Sequence, residues 1–170
     1  NGEKQGLTPV RLAWHQGRLR EPMPLPAEHV SPSRMVLPRL VDCHVHLDKA
    51  YTWQEHPNLS GSYWGALDAN LQEHNTRTVA CVLQRGERAM ERAFANGLRA
   101  MRSHVDSVGP GAEPSWDALL TLQQRWCSRI DLQLVALVPL AFWGSAEADA
   151  LARRVAAGGG SLGGVLTPPC

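Results

Sequence analysis

Residues 41–53 read VDCHVHLDKAYTW, and they close an apolar run, VLPRLVDCHVHL, that is rich in β-branched residues. Such a run favours a strand. Alternate residues of a strand share a face, so His44 and His46 stand about 6.6 Å apart at Cα and point together. Two imidazoles on one face can chelate a divalent cation at about 2.0–2.1 Å per nitrogen. Asp42 and Asp48 share that parity, whereas Cys43, Val45 and Leu47 point the other way, which makes Cys43 a poor ligand for the same metal. The alternative is that the two histidines line a polar sheet face without metal. A catalytic zinc-type centre also needs a third protein ligand and an open position for water.

The flanking sequence sets the fold class. Residues 51–75 are aromatic, polar and turn-prone, which predicts a long loop or a loop with one short helix. From Thr76 the period changes: Val79, Val82, Leu83, Met90, Ala93 and Phe94 fall at helical spacings, with Arg77, Arg85, Glu87, Arg88 and Glu91 mostly opposite. Asn96-Gly97 is a helix stop. A strand follows in LRAMRSHVD, then a helix with Ser115 as its predicted cap. DLQLVALVPL is apolar enough for a strand buried on both faces. Another helix opens at Ser145, and LGGVLT is a last short strand. Repeated βα units with buried strands predict an α/β fold with a parallel sheet. A doubly wound sheet and a (β/α)8 barrel both begin in this way, and local sequence does not choose between them.

Upstream, PVRLAW and RMVLPRLV are short β-prone pieces separated by a proline-rich stretch. Gln16-Gly17 could turn a small hairpin with Val10, Leu12 and Trp14 on one face. The predicted division is a partial β-domain over 1–35 and a βα domain over 36–170.

Composition excludes several classes. The 170 residues carry 17 Lys+Arg against 16 Asp+Glu, a net charge of +1, so no electrostatic footprint for nucleic acid or an anionic membrane exists. No apolar run approaches the roughly 20 residues of a membrane span, and the N-terminus has no signal-peptide core. Four scattered cysteines, none at C-x-x-C spacing, read as free thiols of a reducing, cytoplasmic compartment. The sequence lacks an initiator methionine and stops without a closing helix, so both ends read as cut.

LVDCHVHLDKAYTW resembles the first barrel strand of the amidohydrolase superfamily, and MRSHVDS and RIDLQLVALVP resemble strands two and three of its cytosine deaminase-like branch. The likeness runs from about residue 36 to the end, and the leading β-pieces resemble the small β-domain that precedes that barrel. The resemblance implies a (β/α)8 barrel with one divalent metal, iron or zinc, at its C-terminal mouth. His44 and His46 carry over as metal ligands. The implied chemistry is hydrolysis of a C–N bond on a small nitrogen heterocycle by metal-activated water. A barrel takes about 250 residues, rarely below 200, so the count here fits about four βα units. The expectation is an N-terminal fragment, inactive alone, with its acid–base residues C-terminal of residue 170; the longer parent could form a homo-oligomer. Where cytosine deaminases carry a glutamine after strand three, this sequence has Pro139 or Leu140, which weakens cytosine itself and leaves another cyclic amidine or an N-substituted triazine. A non-enzymatic α/β module is the rival reading.

Four residues stand as candidates for substrate binding or support of the metal ligands: Asp48, Lys49, His104 and Asp106. His104 and Asp106 form a same-face pair on strand two, for which a structural hydrogen-bonded role is the alternative. Lys49 could touch a substrate or salt-bridge Asp48 or another acid near the barrel mouth. His15, His29, His56 and His74 read as solvated. Tyr51, Trp53, Tyr63 and Trp64 crowd the loop after strand one, where they could wall a flat ring or pack the rim. Gly158, Gly160 and Gly163 match G-x-G-x-x-G by letter, but they follow a helix and enter a strand, the reverse of a phosphate-binding turn.

Overall fold

The computed structural model describes residues 10–26 and 36–166. His29, Cys170 and the start of RMVLPRLV therefore lie outside the described residues. The chain divides into two compact units, 1–38 and 39–170.

In the first unit, β1 (Val10–Arg11) pairs antiparallel with β4 (Met23–Pro24), and β2 (Trp14–His15) with β3 (Arg18–Leu19). Gln16 and Gly17 join β2 to β3 with φ of 51° and 73°. Positive φ at both central residues is the turn whose twist suits a tight hairpin.

The second unit is built on a parallel sheet whose order, β5-β6-β7-β8, follows the chain. Its strands are β5 (Leu40–Val45), β6 (Leu98–Asp106), β7 (Asp131–Leu137) and β8 (Ser161–Leu162). Four helices join them: α1 (Tyr63–Thr76), α2 (Val79–Ala95), α3 (Ala112–Trp126) and α4 (Ala148–Ala157). A doubly wound sheet reverses its strand order at a switch point. Sequential parallel neighbours are instead what the first four units of a (β/α)8 barrel provide. The order of the strands makes the choice that local sequence left open.

The alternation along β6 explains which face carries the core. Met101, Ser103 and Val105 are buried, whereas Arg102 is exposed and His104 and Asp106 are half-buried. On β7, Leu132, Leu134 and Ala136 are buried and Asp131 and Gln133 exposed. The buried set packs with Val82 and Met90 of α2 and Trp116, Leu119 and Leu122 of α3 in one cluster. DLQLVALVPL is buried on both faces in its second half, where Leu134, Val135 and Ala136 are buried in succession, but not at its start, where Asp131 is exposed and Gln133 leaves the sheet and receives Arg102 at 2.9 and 3.1 Å.

Two helix readings are corrected. Of the two expectations for 51–75 the loop with a helix holds, but the helix is long, running over residues 63–76, with Ser62 accepting the Gly65 amide at 3.0 Å; Tyr63 and Trp64 belong to its first turn. Helix α3 starts at Ala112 rather than after Ser115. Ser115 is not a cap; its hydroxyl donates to the Gly111 carbonyl and accepts from Arg77. The predicted stop at Asn96-Gly97 is observed, with Gly97 at φ 85°. Gly158 and Gly160 lie in the turn between α4 and β8, and Gly163 follows β8.

Candidate active site at the strand ends

The C-terminal ends of β5, β6 and β7 lie side by side, because the three strands are parallel and adjacent. Between Asp42 and Val45, β5 carries one more residue than the facing part of β6: Asp42 stands opposite Met101 and Val45 opposite Ser103. Such a bulge re-aims side chains and is common beside active sites. Simple alternation thus does not hold through the motif, yet His44 and His46 still converge, with ring centroids 5.3 Å apart.

His46 follows β5 directly, and its Nδ1 lies 2.9 Å from the His104 carbonyl oxygen. A carbonyl only accepts, so Nδ1 carries the proton and Nε2 keeps its lone pair. A metal-binding histidine is typically held in this way, its second nitrogen donating to a carbonyl. Burial and nearby Lys49 push the His46 pKa down, which favours the neutral imidazole that a metal needs. His44 is exposed and stacks on the His104 ring at 4.0 Å and 22°. The His104 pKa also falls, through burial and then the neighbouring His44 and His46. Two imidazoles thus fit a divalent cation, while His104 is engaged face to face with one of them. Among the described residues no group of three or more His, Cys, Asp or Glu is arranged to hold a metal.

Asp48 departs from the expected geometry. It sits in a 3-10 turn (Leu47–Lys49), fully buried, so strand parity does not reach it. Its Oδ2 accepts from Arg77 at 3.0 Å and from the Asp106 backbone N–H at 2.9 Å. Burial, then the Asp106 charge, push its pKa up, against the pull of Arg77. Lys49 finds its acid in Asp106, at 2.9 and 3.1 Å. Asp106 also accepts from the Asn70 amide at 3.2 Å. Burial would raise its pKa, but Lys49, Arg77 and Asn70 outweigh that and hold it low.

Sequence reasoning missed the residue that joins these groups. Arg77 reads as solvated helix surface, but it is buried between α1 and α2 and meets Glu73 at 2.5 Å, Asp48 at 3.0 Å and Asp106 at 3.5 Å. Arg85, also read as surface, meets Glu73 at 2.5 Å and donates to the Asp48 carbonyl. Three cations (Lys49, Arg77, Arg85) thus face three carboxylates (Asp48, Glu73, Asp106). Only Glu73, four residues back, marks Arg77 locally; its other partners, Asp48, Asp106 and Ser115, come from distant segments. His74 is likewise not solvated: it is 5% exposed, with Nε2 2.9 Å from the Val108 carbonyl oxygen.

Above this cluster opens a pocket of ≈ 820 Å³, which His46, Lys49, Asn70 and Asp106 line together with Trp53 and Tyr63. That volume lies within the roughly 300–1,000 Å³ of small-molecule sites. His56 and Pro139 also reach it, and Pro139 brings no side-chain hydrogen bond. No helix among the described residues is long and apolar enough to cross a membrane.

No protein-family model matches the chain. Its fold is that of part of a solved deaminase: 5-methylcytosine deaminase from Klebsiella pneumoniae, solved with 5-fluorocytosine, superposes with a TM-score of 0.64 at 24% identity over 78% of this chain and 34% of that one. The same enzyme solved with phosphonocytosine gives 0.66 at 25% identity, with the same coverage. In sequence the chain is 34% identical over 169 residues to a pterin deaminase from Rhizobium rhizogenes (strain K84), covering 95% of this chain and 39% of that protein. These likenesses support the resemblance to the amidohydrolase superfamily and its cytosine deaminase-like branch. It spans 39% of the length of the curated relative it matches.

Proposed function

We propose that the protein these residues belong to is a cytoplasmic, metal-dependent hydrolase that removes an exocyclic amine from a small nitrogen heterocycle. The observation that carries the proposal is the His44–His46 pair at the end of β5, with His46 Nε2 left free by the His104 carbonyl, beside a pocket of heterocycle size. The deaminase relatives support the same reaction class.

His44 and His46 would hold the metal, iron or zinc, whose chemistry when bound is to make a hydroxide nucleophile near neutral pH. The chain's own residues bind and orient. Trp53 and Tyr63 wall a flat ring, and His104 fixes the His46 tautomer through its backbone while its ring supports His44. Asp106 is fully engaged by Lys49 and Asn70, so the acid–base groups are assigned to the part of such proteins that these 170 residues do not span. The chain by itself is accordingly expected to be inactive. Pro139 in the pocket offers no side-chain hydrogen bond and so disfavours cytosine, while the pterin deaminase relative supports a pteridine; an N-substituted triazine is the alternative substrate.

Metal analysis of the full-length protein, with an ammonia-release assay on 2-amino-4-oxopteridine and cytosine, tests this reading. The expected result is near-stoichiometric iron or zinc, ammonia from the pteridine, and loss of both in His44→Ala. A wild-type protein that carries no metal and releases no ammonia would sink it.

A further inference from the structure

Among the described residues two that are not glycine adopt positive φ: Gln16 in the hairpin turn, and Tyr51, at 60°, just after the Leu47–Lys49 turn. The left-handed region crowds the Cβ of an L-residue, and an aromatic side chain brings nothing there that offsets the crowding. Such a conformation persists only where its surroundings hold it. At Tyr51 the restraint is Arg88 of α2, whose guanidinium carbon lies 4.3 Å from the ring centroid, within reach of a cation–π contact. The Tyr51 ring is not part of the pocket wall, but its chain neighbours on both sides are. On one side Lys49 ends the anchored 3-10 turn, and its carbonyl accepts the Thr52 hydroxyl at 3.2 Å. On the other, the Thr52 carbonyl accepts the N–H groups of Glu55 and His56 at 3.2 and 2.9 Å, which closes a turn that carries Trp53. Thr52, Trp53 and His56 all line the pocket. Trp53 is still 60% exposed, so burial does not fix it, and the backbone angle at Tyr51 sets where its turn starts.

We infer that Tyr51 and Arg88 are positioning residues for Trp53. The guanidinium clamps the tyrosine ring, the clamp holds the left-handed backbone, and that backbone aims Trp53 as a wall against a flat ring. On the heterocycle reading of the pocket, on which this rests, affinity for a stacked ring falls with the fraction of molecules in which Trp53 stands in place. Glycine at position 51 reaches positive φ without a clamp, whereas the branched side chain of valine resists it. The two substitutions of Tyr51 thus have opposite consequences, and Arg88 matters only when residue 51 needs holding.

The full-length protein labelled with 5-fluorotryptophan gives a fluorine resonance for each tryptophan, and Trp53→Phe assigns that of Trp53. Its position is read without ligand, and binding of 2-amino-4-oxopteridine as the probe is titrated alongside by quenching of pteridine fluorescence. Arg88→Met should shift or broaden the Trp53 resonance and weaken the probe about 2- to 5-fold, the fold-change of an exposed cation–π contact. Tyr51→Phe keeps the ring beneath Arg88 and should match wild type in both readouts. Tyr51→Gly should also keep the Trp53 resonance, and should make Arg88→Met silent in the double variant. Tyr51→Val should displace the resonance and weaken the probe roughly 10-fold. The buried Trp116 is the internal control for folding, its resonance expected to stay in place throughout.

A Trp53 resonance that Arg88→Met leaves unchanged, or moves equally with tyrosine or glycine at position 51, overturns the inference; so does wild-type behaviour in Tyr51→Val. The comparison of Arg88→Met in the two backgrounds decides even where Tyr51→Val does not fold. The deaminase reading fails separately. Wild type that neither binds the probe nor releases ammonia from it removes the reaction, while the fluorine resonances, recorded without ligand, still decide whether Tyr51 and Arg88 place Trp53. Ammonia release with resonances that no variant moves removes the positioning pair and leaves the reaction.

Discussion

The two faces of the parallel sheet solve opposite problems with neighbouring residues of the same strands. On one face, Met101, Val105, Leu132 and Leu134 pack under α2 and α3 and are stabilised by removal from water. Across the strand from them, Arg102, Asp106 and Gln133 keep polar partners, the His104 ring stacks on His44, and all four stay wholly or partly accessible. The first face needs only volume and hydrophobicity. The second needs particular atoms at particular distances, and its Asp106 end is tied to a buried charged cluster. Apolar burial makes the scaffold here, while charge pairing sets the geometry of the site.

The sharpest way to break that distinction is to remove the cluster's central cation. Arg77→Met leaves Asp48 and Glu73 buried with less compensation, and breaking a buried pair from one side typically costs about 3–5 kcal/mol. Urea unfolding should show a loss of that order, comparable with that of the larger core truncations. The acid limit should move with it. Glu73, held low by Arg77 and Arg85 against the opposing effect of burial, and Asp106 both have depressed folded pKa values. Their stabilisation is full above the ordinary carboxyl range and is lost as pH falls through the folded values, below about pH 4. Asp48, pushed up, runs the other way, so two carboxylates oppose one. A wild-type stability flat from pH 6 to pH 3 would contradict this account.

A middle-sized effect is expected where the site meets the scaffold. A Cβ on Gly111 would stand 2.6 Å from the His74 carbonyl oxygen and 2.7 Å from His74 Nδ1. The carbonyl belongs to helix backbone and yields only by shifting α1 or the loop after β6. Gly111→Ala should therefore cost about 1–3 kcal/mol, the usual range for overpacking, and should disturb the pocket rim at Val108. Thermal unfolding together with probe binding would show both.

The smallest effect belongs to the open face away from the strand ends. Arg102→Ala removes two hydrogen bonds to Gln133, but both groups are exposed, so a change within about 0.5 kcal/mol is expected. A loss comparable to that of Arg77→Met would mean that the two faces do not divide the work as described.

How much of this was legible in the sequence follows from the kind of signal each element carries. Strand β6 was read to the residue, because Asn96-Gly97 marks its start and Met101, Ser103 and Val105 alternate with polar neighbours. Helix α1 was not, because its buried residues are Glu73 and His74; with no apolar stripe, no period of 3.6 shows. The His44–His46 convergence was legible from the H-x-H spacing, although a bulge carries the turn that strict alternation was taken to provide. The Asp48 burial, the Arg77 junction and the Asn70 contact were not legible. Each depends on segments 29 to 38 residues apart being folded together, and a charged residue on a helix looks solvated until its partners arrive.

The parallel, sequential order of the strands has a consequence for how such a protein can change. Every strand ends on the same rim, so the atoms that meet a ligand come largely from short windows just past β5, β6 and β7, together with one side of α1. Variation inside those windows can rewrite what the pocket accepts while the sheet keeps its pairing. Variation elsewhere mostly alters how long the molecule survives. Inheritance of shape and invention of specificity are thereby written in separate parts of one short text.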